Sequence, residues 1–317
     1  KFNIAGFGNG VHFLSHKAQQ VTRRFYHDVN DKEGIRSNSI YSLLVDDRGA
    51  VWVGHFQAGL DYSLYQNGLF RTYAYPPLFN SANLSIRSFV NRGQEKVIGS
   101  RDGLFYINEV SGVVKSFVKP VLTSDLILTI SFYQGEYYIG TYGGGMMVLD
   151  PGTLSLKYFA QGDTELFQKG HIFCVKPDAK GNLWIGTSHG LFCYNGQTKQ
   201  IKHFTSANSQ LPEGNVYEVS FDSTGKGWIA TETGMCIYDP ASQSLRSNVF
   251  PEGFVHRDKV RTIYEDAEHN LYFIREKGSL FTSTLTMDRF RNRSIFSTLP
   301  DNSLMSVIED NQGWLWV

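Results

Sequence analysis

Rings, arginines and carboxylates recur in this chain where neighbouring repeats carry something else. One set is Tyr41, Arg87, Leu128, Phe173, Tyr217, Arg261 and Met305. A second is Phe7, Asn9, Phe56, Gln57, Arg101, Asp102, Tyr142, Ser188, His189, Glu232, Thr233, Arg275 and Glu276. Aromatic faces beside bidentate arginines and acidic acceptors suit a polar, ring-shaped ligand such as a sugar. Arg87, Arg101, Arg261 and Arg275 would suit an acidic sugar or a sulfate. The ligand-binding candidates are Tyr41, Phe56, Arg87, Arg101, Tyr142, Phe173, His189, Tyr217, Glu232, Arg261 and Arg275. Two readings of these side chains stand together: a binding surface, or packing between repeats and solvated turns.

Other chemistries find less support. Nine histidines are scattered without metal-ligand spacing. Cys174, Cys193 and Cys236 fall in no metal pattern and read as small buried residues. There is no Gly-x-Ser-x-Gly elbow and no phosphate loop of the Gly-x-x-x-x-Gly-Lys type. Gly6-Phe7-Gly8-Asn9-Gly10-Val11 lacks the last glycine of a dinucleotide motif, and no helical pattern follows it. No cofactor, metal or catalytic residue is expected.

The elements that must position the candidates repeat along the chain. Asp46-Asp47-Arg48-Gly49-Ala50-Val51-Trp52-Val53-Gly54 returns as Asp178 to Gly186, Asp222 to Ala230 and Asp310 to Val317. Degenerate copies begin at Gly93, Gly135 and Asp266. The anchor falls at 52, 97, 138, 184, 228, 272 and 316, with spacings of 45, 41, 46, 44, 44 and 44. A short apolar segment precedes each turn, such as Ile40-Tyr41-Ser42-Leu43 or Val216-Tyr217-Glu218-Val219. A Gly-led segment follows, at Gly10, Gly59, Gly103, Gly145, Gly190, Gly234 and Gly278. A phenylalanine closes each unit: Phe25, Phe70, Phe117, Phe159, Phe204, Phe250, and Phe290 or Phe296.

Each unit thus holds four short strands, here A, B, C and D. Four strands in roughly 40–45 residues is the pattern of a β-propeller blade. The expected fold is all-β: a seven-bladed propeller of four-stranded antiparallel blades, occupying residues 1–317 as one domain. One blade would be closed by both termini, with C and D from 11–27 and A from 304–309. Either terminal piece could supply its strand B. The turn aspartates read as scaffold, because Asp accepts from backbone N–H groups two residues on and Gly supplies positive φ. In such a fold the D–A and B–C loops share one face around a central channel, where both candidate sets fall.

The 317 residues carry 30 Lys+Arg and 30 Asp+Glu, so net charge is zero. That argues against binding that works by neutralising nucleic-acid phosphates, which needs a basic surplus or stripe. Hydrophobic residues make up 41% and charged residues 19%, as in globular chains. No apolar run is long enough to span a membrane. Both ends read as cuts through strands, which implies a piece of a larger polypeptide.

The units at 38–54 and 215–231 resemble the two-component regulator propeller repeat, and the resemblance extends over essentially the whole chain. It implies the periplasmic sensor region of an inner-membrane hybrid histidine kinase, as in gut Bacteroidetes that detect oligosaccharides. It also implies a second propeller and an immunoglobulin-like domain in the same protein, and a homodimer in the full receptor. The ligand would be an oligosaccharide, possibly acidic in view of the arginines. No kinase histidine box is present, so this segment is not expected to be an enzyme. The alternative is a structural or dimerisation propeller without ligand. A third reading is a propeller lyase or hydrolase, since streptogramin lyases have similar repeats.

Overall fold

The computed structural model describes residues 2–3, 5–6, 10–14, 21–64, 69–73, 84–159, 164–247, 250, 259–275, 280–286, 291–293, 304–310 and 315–316. The turn residues Phe7, Asn9, Glu276 and Gly278, and the strand D residues Phe290 and Phe296, lie outside the described residues.

Six four-stranded antiparallel sheets follow one another, each in the order A–B–C–D. Blade 1 is Ile40–Val45, Ala50–His55, Leu60–Leu64 and Phe70–Thr72. Blade 2 is Ile86–Arg92, Glu95–Ser100, Leu104–Asn108 and Val113–Phe117. Blade 3 is Ile127–Tyr133, Glu136–Thr141, Met146–Asp150 and Ser155–Tyr158. Blade 4 is Ile172–Pro177, Asn182–Thr187, Gly190–Asn195 and Ile201–Phe204. Blade 5 is Val216–Phe221, Gly227–Thr231, Met235–Asp239 and Ser244–Arg246. Blade 6 is Val260–Glu265, Asn270–Arg275, Leu280–Thr284 and Arg291–Arg293. A single helical turn and a half, Thr164–Lys169, precedes blade 4 and buries Leu166 and Phe167.

The expected seventh four-stranded blade is not what the two chain ends build. They share a sheet of seven short strands. Leu304–Ser306 pairs with Ala5–Gly6, which pairs with Gly10–Leu14, which pairs with Val21–Phe25. Further along, Ile308–Glu309 pairs with Leu315–Trp316, and Phe2–Asn3 lies parallel beside the latter. Strand B of this sheet is therefore split: the start of the chain supplies one half and the end supplies the other. Strand D of blade 5 also differs from expectation. It is Ser244–Arg246, and Phe250 follows it as a buried residue outside any strand.

The Asp-x-x-Gly turns explain the regularity of the A–B hairpins. In blade 1 the Arg48 and Ala50 N–H groups donate to Asp46 Oδ1 at 3.0 and 2.9 Å. Its Oδ2 accepts Trp52 Nε1–H at 3.0 Å. Asp178 takes the same three donors, with Trp184 Nε1 at 2.9 Å. So does Asp222, with Trp228 Nε1 at 2.8 Å. In blade 6, Tyr272 Oη–H replaces the indole on Asp266 at 2.9 Å. The six-residue spacing from Asp to aromatic is thus a clamp that holds the ring's polar edge while its faces go into the core. Trp184 then packs on Tyr238 and Phe221 of blade 5, at centroid distances of 4.5 and 5.7 Å.

Strand B glycines serve packing between blades rather than a tight connection. A Cβ on Gly140 would lie 2.7 Å from Ile172 Cγ2 in strand A of blade 4. Gly145, by contrast, turns the chain at φ +72 into strand C, and a Cβ there would meet the Phe167 carbonyl.

Contacts divide the chain into two compact units. One holds Lys1–Lys96, Phe105–Val114 and Tyr264–Val317, with a core that includes Val11, Ile35, Ile40, Val51, Val53 and Phe70. The other holds Val97–Leu104 and Lys115–Ile263. Its core runs from Tyr138, Phe159 and Phe192 to Trp184, Val219 and Ile229.

Candidate functional site

Backbone bonds bring the B–C turns and the lead-ins to strand A together. Phe56, Tyr142, Ser188 and Glu232 each follow a strand B. Their N–H groups donate to the carbonyls of Ser39, Leu126, His171 and Asn215, each just before a strand A. Gly59 N–H donates to Leu84 O, and Gly145 N–H to Gly170 O, at the lead-in of the following blade. The two candidate sets therefore share one end of their blades within each unit.

Strand A itself aims the variable side chains. In blades 1, 3, 4 and 5 its register against strand B shifts between Ile40 and Ser42, Ile127 and Thr129, Ile172 and Cys174, and Val216 and Glu218. The shared sheet shifts between Leu304 and Ser306. Tyr41, Leu128, Phe173, Tyr217 and Met305 are thus the extra residues of β-bulges. A bulge frees one side chain from the alternating pattern and re-aims it. That is why the position tolerates such different residues.

In the second unit these side chains form a ladder. The Tyr142 ring, 49% exposed, stacks on His171 at 4.0 Å and 27°. His171 lies 6.1 Å from Phe173, and Phe173 lies 4.9 Å from Tyr217. Lys259 Nζ sits 4.3 Å above the Tyr217 ring. Asn215 Nδ2–H donates to Tyr217 Oη at 3.0 Å. Four rings from three successive blades, a cation and an amide therefore line one run.

In the first unit a smaller cluster forms. Tyr41 meets Phe56 edge-on at 5.2 Å, and Arg87 Cζ lies 4.8 Å from the Tyr41 centroid.

The other candidates stand apart. Arg101 is exposed in its turn. His189 is exposed, with Nδ1 3.0 Å from Ser188 Oγ, and belongs to its own turn. Exposed Glu232 accepts the Asn215 N–H at 3.4 Å and caps the lead-in. Arg261 and Arg275 are half-buried in blade 6, at the second residue of strand A and the last of strand B.

His171, Asn215 and Lys259 were not among the sequence candidates. Each immediately precedes a strand A, at a position as variable as the bulge: Ser39, Ser85, Leu126, His171, Asn215, Lys259. That second variable ladder was the available signal. A buried His55–Asp61 pair was also missed. Strand B of blades 2 to 5 ends in Ser100, Thr141, Thr187 or Thr231, whose hydroxyls donate to the carbonyl of the glycine opening strand C. Blade 1 instead ends in His55, with Nε2 2.8 Å from Asp61 Oδ2, which also accepts the Arg36 N–H.

Two further features carry no chemistry for a ligand. A groove of about 570 Å³ lies beside strands D of blades 4 and 5. Several of its polar groups are already engaged: Asn208 Nδ2 donates to His203 O, Lys202 Nζ to Gln243 Oε1, and Arg246 pairs with Asp239. The cysteines are free thiols, Cys174 and Cys236 buried and Cys193 half-buried. Burial pushes the thiols up, that of Cys193 to about 12. Among the described residues no three His, Cys, Asp or Glu side chains gather as for a metal. No helix among them is long and apolar enough to cross a membrane.

Six repeated A–B–C–D sheets define an all-β propeller of four-stranded antiparallel blades. The chain superposes with a TM-score of 0.58 on the Cps50 (Swd1) beta-propeller domain of Myceliophteria thermophila, at 12% identity over 81% of this chain and 87% of that one. Residues 34–57 and 167–189 match the two component regulator propeller family. Those segments run from the lead-in through strands A and B of blades 1 and 4. Two solved extracellular domains of hybrid two component systems from B. thetaiotaomicron share the fold. BT3049 gives a TM-score of 0.63 at 20% identity, over 99% of this chain and 50% of that one. BT4673 gives 0.60 at 16%, over 98% and 47%. The chain thus spans about half the length of these two domains. No curated protein matches it.

Proposed function

We propose that the chain is a non-catalytic, ligand-sensing propeller of a hybrid two-component receptor, on the periplasmic side of the inner membrane. Its ligand is an oligosaccharide released from a glycan. The observation that carries this reading is the ladder Tyr142–His171–Phe173–Tyr217. Sugar rings present C–H faces that stack on aromatic faces, and hydroxyls that the Tyr217 phenol, the Asn215 amide and Lys259 can reach as donors or acceptors. Bulges aim the ladder's strand A rings, as at other binding sites. The propeller repeats and the two B. thetaiotaomicron neighbours support the receptor context. In the full receptor a second propeller, an immunoglobulin-like domain and a homodimer partner complete the assembly. We count the sheet shared by the two chain ends as the seventh blade, since it keeps the A–B–C–D order.

Calorimetric titration against a panel of neutral and acidic oligosaccharides tests this reading. Binding of a neutral oligosaccharide that is lost in Phe173→Ala/Tyr217→Ala is the expected result. A panel that binds the whole receptor region but not this chain would make the propeller a structural and dimerisation module. Product formation during the titration would make it a lyase or hydrolase.

A further inference from the structure

The cluster in the first unit has an unmet donor. Arg87 is half-buried on strand A of blade 2, with its guanidinium over the Tyr41 ring at 4.8 Å. Its Nε–H is buried and meets no acceptor. Three other described arginines have carboxylates beside them: Arg48 has Asp46, Arg92 has Glu95 and Arg246 has Asp239. Arg87 has no such partner among the described residues. A buried donor without an acceptor costs free energy, and a native structure that keeps one needs a reason.

The surroundings hold the arginine ready. Phe56 flanks Tyr41 edge-on at 5.2 Å, and the Phe56 N–H is tied to Ser39 O. The next turn residue, Gln57, has a left-handed backbone at φ 56, and its N–H donates to Ser85 Oγ at 3.2 Å. Ser85 is itself buried at the lead-in to the strand that bears Arg87. A guanidinium stacked on an aromatic face keeps its fork of N–H donors in plane, and that fork matches the two oxygens of a carboxylate or sulfate.

We propose that Arg87, backed by Tyr41 and Phe56, is an anion-recognising site that selects ligands carrying a carboxylate or sulfate group. Ligand oxygens accept from the Nη–H groups, and the buried Nε–H becomes a further donor as the side chain turns toward the ligand. The site rests on the sensor reading for its biological ligand, and not for its anion chemistry. Tyr41 supplies the cation's platform, and Phe56 keeps water from its edge.

The test uses the full chain, with galacturonate oligomers, matched neutral galactose oligomers and inorganic sulfate as probes. The readouts are calorimetry and the nitrogen-15 resonance of Arg87 Nε–H. Galacturonate or sulfate should shift that resonance, and neutral oligomers should not. Arg87→Lys keeps the charge but loses the fork. It should weaken acidic probes about tenfold or more and leave neutral ones unchanged. Equal loss for acidic and neutral probes, or no loss at all, would overturn the proposal. Should no oligosaccharide bind, the sensor reading fails, and sulfate alone decides the anion site. An unmoved Arg87 resonance at saturating sulfate would then overturn that too.

Discussion

The two ends of each blade spend their side chains differently. At the A–B turn, Asp46, Asp178, Asp222 and Asp266 repeat the same bonds, and the buried carboxylate oxygens are satisfied. At the opposite end the lead-ins and bulges carry Ser39/Tyr41, Leu126/Leu128, His171/Phe173 and Asn215/Tyr217, with no shared chemistry. Repeated side chains with every group paired hold the fold. Divergent ones, several of them re-aimed by bulges, are where the proposed ligand contacts fall. Blade 2 shows what happens where the turn loses its clamp. There Val97 takes the anchor position and buried Lys96 pairs with Glu109 at 2.6 Å, under the Trp52 ring.

Breaking the turn end should cost the most stability. Trp184→Ala empties a buried wedge between two blades and should cost about 3–5 kcal/mol in denaturant unfolding. A loss below about 1 kcal/mol would erase the distinction between the two ends. Asp222→Asn keeps the shape but turns an acceptor into a donor facing Trp228 Nε1. About 1–3 kcal/mol is expected from the same measurement.

High pH should weaken the fold next. Burial holds the Cys193 thiol and the Tyr264 phenol up at about 12. The unfolded groups ionise near about 8.5 and about 10. Above those values the unfolded chain binds fewer protons than the folded one, so stability falls as pH rises toward 12. Denaturation midpoints at pH 8 and pH 11 check this. A thiol-directed dye at pH 8 should label Cys193 only as the chain unfolds.

Smallest of all should be the stability cost at the opposite end. Tyr217→Ala removes a half-buried ring whose contacts are Phe173, Asn215 and Lys259, and should cost about 1 kcal/mol. A loss as large as that of Trp184→Ala would make the ladder a core element and sharpen the case for a purely structural propeller.

The repeat period, the four strands and the scaffold role of the turn aspartates could all be read from the residues, because Gly, Asp and Trp recur at fixed offsets. The indole bond to Asp could not, since spacing alone does not show which edge of a ring is held. The closing sheet was expected to take strand B from one end. It takes Ala5–Gly6 from one and Leu315–Trp316 from the other, a choice that depends on register between distant segments. At the candidate site, Tyr142, Phe173 and Tyr217 stand out in the sequence through their departure from the repeat. His171 and Lys259 escape that reading because they lie one step outside strand A, beyond the apolar segment by which the repeat is read.

Amide hydrogen exchange during titration with the binding oligosaccharide tests the division of labour most directly. The account predicts added protection at His171–Phe173 and Asn215–Tyr217, and none at the turns Asp178–Asn182 and Asp222–Lys226. Protection at those turns, with the ladder unchanged, would contradict it.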